Sequence, residues 1–289
     1  MVVKFRKTFF LVGAILISIN IWSQGIEDTL LSPKNIKLSS NSNIELITEI
    51  DHLYRNWYCI DNKNLIIDSL INSNNEQLIT DYLLIIKSYY LFENSFSKDA
   101  QAILGAISTD NYEEIQTYLM GRLYFQQKDY ARAVIEFLKA DKLLLINKNY
   151  YGLINVKSQL IQVLSAIQNY NEANKYYLEG LMICEKIRYD KGLIILYRAF
   201  GKTFKDSNPN NSKEFLSKGW NLAKEKGSEL AQVKSAVGYL KFLIRNKSYE
   251  EFVDVYNYIK INCSENCMYL DRSVIETFYA HKMAIENKI

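Results

Sequence analysis

Thr117-Tyr118-Leu119-Met120-Gly121-Arg122-Leu123-Tyr124, continued by Tyr130, Ala133, Phe137 and Ala140, decides how this chain is read. Apolar residues recur at three-to-four spacing on both sides of a short polar break, Gln127-Lys128-Asp129. That is the pattern of two antiparallel helices joined by a tight turn. Gly121 and Ala133 lack bulk, so the two helices can cross closely. Tyr124 and Phe137 fill the space on either side, and Ala140 leaves room for the first helix of a following pair. A helical hairpin inside an ordinary bundle also puts small residues at its crossing, so recurrence along the chain separates the two readings.

The pattern recurs. Asn169-Tyr170-Asn171-Glu172-Ala173 and Tyr177 repeat the turn, the small residue and the aromatic, with Gly180 standing where Ala140 stood. Their offset from the first unit is 40 residues, and the excess is assigned to a longer connection, with an extra helical turn, from Asn147 to Gly152. Tyr197, Phe200, Gly201 and Phe204 open another unit. Its turn is Asp206 to Asn211, its second helix Ser212 to Lys226, and Gly227 is expected to end that helix in the left-handed conformation. Val233 to Arg245 and Tyr249 to Ile261 form a further pair, with Phe252 at the small position, which predicts a wider crossing. Arg272 to Asn287 reads as a terminal capping helix. Upstream, Asp81 to Phe92 and Ser97 to Ile107 make a pair with Ser88, Ala100, Leu104 and Ile107 at the matching positions. Ile44 to Tyr58 and Leu65 to Ile71 read as a degenerate first pair or a cap. Only Pro33 and Pro209 interrupt the chain, and strand alternation is not evident, so the expected class is all-α.

Counted from Glu114 as position one, Met120 and Gly121 fall at seven and eight, Tyr124 at eleven, Ala133 at twenty, Phe137 at twenty-four and Ala140 at twenty-seven. This spacing resembles the tetratricopeptide repeat, of the exported bacterial type. Thr117 departs from it where Trp is usual, and Leu145 where Pro is usual. The resemblance covers roughly Asp81 to Ile261. It implies an α-solenoid of stacked antiparallel helix pairs, a single repeat domain over residues 44–289, because each pair buries its apolar stripe only against its neighbours. A composition of 48% hydrophobic and 13% aromatic residues can fill such a core.

Residues 1–24 have the order of a secretory signal peptide: Lys4, Arg6 and Lys7, then an apolar core from Phe9 to Ile21, then Ser23-Gln24-Gly25 as a small-residue cleavage site. An uncleaved N-terminal anchor is the alternative. Residues 25–43 are polar and irregular and read as a linker. The three cations of the leader equal the whole formal charge of +3, so the mature chain is neutral and its composition gives no argument for nucleic-acid binding. No apolar stretch after the leader has the length of a membrane span. The expected location is therefore exported, periplasmic or secreted.

Residues that carry chemistry are sparse. His52 and His281 stand far apart, and no phosphate loop, nucleophile elbow or metalloprotease motif occurs. No catalytic residue, metal site or cofactor is assigned, and an enzyme is not expected. Cys263 and Cys267 are close enough to bridge across Ser264-Glu265-Asn266, or else remain two thiols; Cys184 reads as a small buried hydrophobe.

The resemblance implies a concave groove lined by the first helix of each pair, through positions two, five, nine and twelve. Carried over by register, position nine gives Tyr89, Arg122, Gln162, Lys202 and Lys241, with Arg198 and Lys205 beside them and Tyr82, Tyr118 and Phe125 as aromatics. The expected groove is aromatic at one end and basic at the other, fit for an acidic protein or peptide partner; the alternative leaves these cations as ordinary solvated residues. The family's carboxylate clamp needs an Asn at position nine, which neither Arg122 nor Gln162 supplies. The leading functional expectation is a partner-binding scaffold. A sensory module, similar to the N-terminal parts of membrane-bound bacterial regulators, is the second. Intact-mass measurement of the protein from the cell envelope is expected to show a chain that begins near Gly25; a species that keeps Met1 to Gln24 would mark an anchor instead.

Overall fold

Long helix-periodic runs separated by two or three polar residues leave each helix one way to continue, by doubling back on the last. The computed structural model describes residues 63–73, 77–93, 96–107, 112–263 and 272–286. The expected signal peptide, linker and Ile44–Tyr58 helix, with His52, Cys59 and Cys267, lie outside them.

Twelve helices occupy the described residues: α1 (Lys63–Ser73), α2 (Gln77–Glu93), α3 (Ser97–Ala106), α4 (Glu113–Gln126), α5 (Tyr130–Ile146), α6 (Tyr150–Ala166), α7 (Tyr170–Ile187), α8 (Asp190–Thr203), α9 (Pro209–Lys226), α10 (Glu229–Arg245), α11 (Tyr249–Asn262) and α12 (Arg272–Glu286). No strand occurs among them. From α2 to α11 they pair in sequence, first helix then second. Each first helix touches the next first helix along the chain, α2 to α4 to α6 to α8 to α10. Each second helix packs on its own first helix and on the following one, and no principal contact joins two second helices. The layer whose members touch is the inner one, and the splayed layer is the outer. The chain is a tetratricopeptide-like α-solenoid with its first helices on the concave side.

One turn is used five times. At Lys128, Lys148, Gln168, Arg188 and Lys247 the backbone takes a left-handed conformation, with φ of 63°, 54°, 61°, 52° and 57°. In each case the next residue donates its N–H five residues back: Asp129 to the Tyr124 carbonyl, Asn149 to Leu144, Asn169 to Leu164, Tyr189 to Cys184 and Ser248 to Leu243, at 2.8–2.9 Å. This closes the preceding helix in a Schellman arrangement. In three of the five, the side chain of that same residue caps the following helix: Asp129 accepts from Arg132 N, Asn149 from Gly152 N and Asn169 from Glu172 N. A three-residue loop thus ends one helix and starts the next.

Two expectations are corrected here. The 40-residue spacing does not come from a long connection at Asn147–Gly152; that loop is residues 147–149, and α5 and α6 are each 17 residues long where α4 has 14. Gly227 does not adopt the left-handed conformation: its φ is −85° and its ψ 154°. An added Cβ there would lie 2.6 Å from the Ala223 carbonyl oxygen, so closeness to the last helical turn explains the glycine. Pro209, expected within a turn, is the first residue of α9, where a missing N–H costs nothing.

The helix crossing read from Gly121 is present. An added Cβ would lie 2.6 Å from two ring carbons of Phe137, so α4 and α5 meet face to backbone. Gly201 stands likewise against Leu216, with a Cβ–Cγ distance of 2.8 Å, and Gly180 against Leu196 of the next pair at 2.8 Å. Ala133, Phe137 and Ala140 are fully buried. Phe252 is buried too, its ring edge-on to Phe278 of α12 at 5.9 Å, so the terminal helix covers the last pair.

A buried cation ties the middle of the array. The Lys157 ammonium on α6 lies 3.2 Å from Asp141 on α5 and 2.7 Å from Glu179 on α7, and only 5% of its side chain is exposed. Burial pushes the Asp141 carboxyl above its usual range, and the Lys157 charge opposes that rise. Removing the cation leaves a buried carboxylate without compensation. Lys157→Ala is expected to destabilise the protein by about 3–5 kcal/mol, read by denaturant unfolding. Gly121→Leu is expected to cost about 1–3 kcal/mol by overpacking against Phe137; a variant that melts like the parent would remove Gly121 from the crossing.

Candidate functional site

An amphipathic first helix buries two flanks, one against its own second helix and one against the preceding pair, and leaves a narrow face toward the concave side. On α8 that face is Ile195, Arg198, Ala199 and Lys202, at the spacing of one helical stripe. On α10 the same four positions, displaced by 39 residues, are Lys234, Val237, Gly238 and Lys241. On α6 the face is Ser158, Gln159 and Gln162, on α4 Arg122, Phe125 and Gln126, and α2 adds Phe92. Together these residues line one groove of about 470 Å³. All of them come from first helices, five in succession. Five of the lining side chains are cationic and none is a carboxylate.

Six of the ten residues expected from the register line this groove: Arg122, Phe125, Gln162, Arg198, Lys202 and Lys241. Lys205 is exposed but lies past the end of α8, in the turn, and does not line it. Tyr82, Tyr89 and Tyr118 are corrected. They are buried, with 1%, 5% and 1% exposure, and belong to the core. Tyr82 packs on Tyr112 with ring centroids 5.9 Å apart, and Tyr118 on Phe137 at 6.1 Å. Helix α2 is buried on most of its circumference, through Ile79, Leu83, Ile85 and Ile86 as well as both tyrosines, so its rings are consumed in packing.

The residues missed include Phe92, Gln126, Gln159 and Lys234. The register already in use would have found two of them, because Phe92 stands at position twelve of its unit and Lys234 at position two. Phe92, half-buried, supplies aromatic surface in the lining that the tyrosines do not. The Arg122 guanidinium carbon lies 4.5 Å from the Phe92 ring centroid, 5.5 Å from that of Tyr89 and 5.9 Å from that of Tyr118. The three rings attract this guanidinium and restrict its position. At the other end a Cβ on Gly238 would sit 3.8 Å from Cγ of Arg198 and 3.9 Å from Cε of Lys202. The stems of those two residues therefore run across nearly bare backbone, and their aliphatic carbons pack there while the charged ends extend beyond. In the middle, Gln162 Nε2 donates to the Ser158 carbonyl at 3.1 Å, which fixes that amide along its own helix.

Among the described residues no group of three His, Cys, Asp or Glu side chains is placed to hold a metal, and no helix is long and apolar enough to cross a membrane. Cys184 and Cys263 carry free thiols; burial pushes the first up to about 12 and the second up to about 11, which keeps both protonated near neutral pH. His281 lies exposed on α12.

No protein-family model matches this sequence, and no curated protein does. Among solved structures, the fold is similar to that of the crystal structure of a Rap protein complexed with competence and sporulation factor. The TM-score is 0.66 at 10% identity, over 88% of this chain and 77% of that one. At that identity the likeness is one of fold.

Proposed function

We propose that this protein is a non-enzymatic, exported scaffold that captures a protein or peptide partner in the concave groove of its solenoid. The observation that carries the reading is the lining itself: five successive first helices line one groove, three of them contribute five cations, and none contributes a carboxylate. In a mature chain of zero net charge such a concentration is local, and its natural complement is an acidic segment. The groove is about 470 Å³, within the range that takes a short segment or a small ligand and too small for a folded domain. The leader-like residues 1–24 support work in the cell envelope, in the periplasm or outside it. A sensory role, in which the same groove takes a factor that reports a state of the cell, is favoured by one further observation: the similar solved array is in complex with competence and sporulation factor.

The test compares two charge reversals of equal size. Lys202→Glu with Lys241→Glu alters the groove, where both side chains are exposed. Lys139→Glu with Lys175→Glu alters the second helices α5 and α7, where the lysines pair with Glu113 and Glu172. The groove pair is expected to weaken capture of the partner from envelope extract by at least about tenfold, or 1.4 kcal/mol, and the outer pair to leave it unchanged. Parent binding is expected to fall with added salt. Equal loss in both variants, or none in the groove variant, would overturn the reading.

A further inference from the structure

We infer that the outer face of α5 and α7 docks a second copy of this chain, in a two-fold dimer where α5 of each copy meets α7 of the other. The inference concerns the side of the array opposite the groove and stands apart from the proposed function.

Second helices bury one flank against the first helices and turn the other outward. On α9 the outward side is polar, with Lys213, Glu214, Lys218 and Glu225 exposed. On α5 and α7 it is largely apolar. Ile135, Leu138, Leu145 and Ile146 on α5, with Leu178 and Met182 on α7, are 41–66% exposed. Ile135, Leu138, Lys142 and Leu145 follow one another at steps of three, four and three residues, the pattern of a coiled-coil seam. Leu178, Met182 and Glu185 make a second stripe on α7, at steps of four and three. The two stripes adjoin. Asp141 and Glu179 both reach the Lys157 ammonium, so at that level a single side chain of α6 separates α5 from α7. Leu138 and Leu145 stand one turn to either side of Asp141, and Met182 one turn beyond Glu179.

Size and charge both favour a second copy as the cover. Six such side chains, each about half exposed, present on the order of 600 Å² of surface, the most that a monomer ordinarily leaves in one apolar patch. Two copies that covered each other would bury roughly 1,200 Å² before any polar rim is added, which reaches the size of a stable specific interface. Each stripe also carries one charge, and the two differ in sign. Lys139 and Lys175 are paired with Glu113 and Glu172, whereas Lys142 and Glu185 are exposed and form no ion pair among the described residues. Pairing α5 with α5 would set one lysine stripe on another, and pairing α7 with α7 would do the same with glutamate. Pairing α5 with α7 joins opposite charges, and a two-fold axis makes that contact twice. Both grooves stay open in such a dimer, because the contact lies on the convex side.

The test measures the mass of the mature protein by sedimentation velocity and light scattering, from micromolar to submillimolar concentration. The parent is expected at twice the mass of one chain. Leu138→Asp with Met182→Asp is expected to give the single-chain mass and to keep the helical circular-dichroism signal of the parent. Lys142→Glu alone and Glu185→Lys alone are each expected to weaken association by about tenfold, and the two together to restore it, because the exchanged charges meet again. A parent that stays a single chain throughout would overturn the inference; binding of the patch to phosphatidylglycerol vesicles or to another protein would then assign the face to that occupant. A dimer that survives Leu138→Asp with Met182→Asp would place the contact elsewhere and overturn it too. Where that variant loses its helical signal, the charge exchange decides: restoration supports the pairing of α5 with α7, and its failure overturns it.

Discussion

The ring of Phe137 occupies the place where a side chain on Gly121 would have to stand. That exclusion sets the distance between α4 and α5, and the distance sets much else. A close pair presents a narrow first helix to the inside, and narrow first helices can touch one another in a row. The row is the groove. Gly201 with Leu216 repeats the arrangement in α8 and α9, and Gly180 with Leu196 makes the step from one pair to the next. At the position of Ala133 and Ala173 the last pair carries Phe252, whose buried ring lies edge-on to Phe278 of α12. Among the described residues α12 belongs to no pair and packs on both helices of the last one.

The same side-chain type does opposite work on the two sides of a first helix. Lys157 on α6 is withdrawn from water and held between Asp141 and Glu179, where it joins α5, α6 and α7. Lys202 and Lys241 lie on exposed faces of α8 and α10. A buried cation is tied to its carboxylates because desolvation makes separation costly. A cation on a wet face keeps most of its hydration and acts at longer range, on the approach and orientation of a partner. The acidic residues of this chain support the division: Glu113, Glu172 and Glu214 pair with lysines on second helices, and none lines the groove.

Position eight, twenty and twenty-four residues carried the architecture because they answer to a steric rule that leaves few alternatives: small against large, at a fixed spacing. The groove was partly legible for a related reason, since a register fixed by the crossing also fixes which residues face inward. Arg122, Arg198 and Lys241 follow from it directly. The tyrosines did not, because a register gives the direction of a side chain and not the depth of what covers it; Tyr82 and Tyr118 point into a space already filled by Tyr112 and Phe137. The turns were hidden for a different reason. Left-handed residues are expected to be glycine, yet Lys128, Lys148, Gln168, Arg188 and Lys247 adopt that conformation, held by the Schellman bonds on one side and, at three of them, an Asp or Asn cap on the other. A short loop overdetermined in this way can carry the strain of a non-glycine residue, of the order of 1–2 kcal/mol. It then looks in the sequence like any polar break.

Unit length has a consequence for the groove that composition does not show. Within a helix one extra residue turns a side chain by about 100°, so the packing that sets each helix's phase decides which of its residues face inward. The stripe Ile195, Arg198, Ala199, Lys202 recurs on α10 with all four positions displaced by the same 39 residues. The units differ in length and in their connections: Gln162 to Lys202 is a step of 40 residues and Lys202 to Lys241 one of 39, and the loops are residues 147–149, 167–169, 188–189, 204–208 and 227–228. Lys202 and Lys241 nonetheless fall in line, because the phase of each first helix is set by the apolar flanks it buries against its neighbours, and a repeating charge becomes a property of the surface.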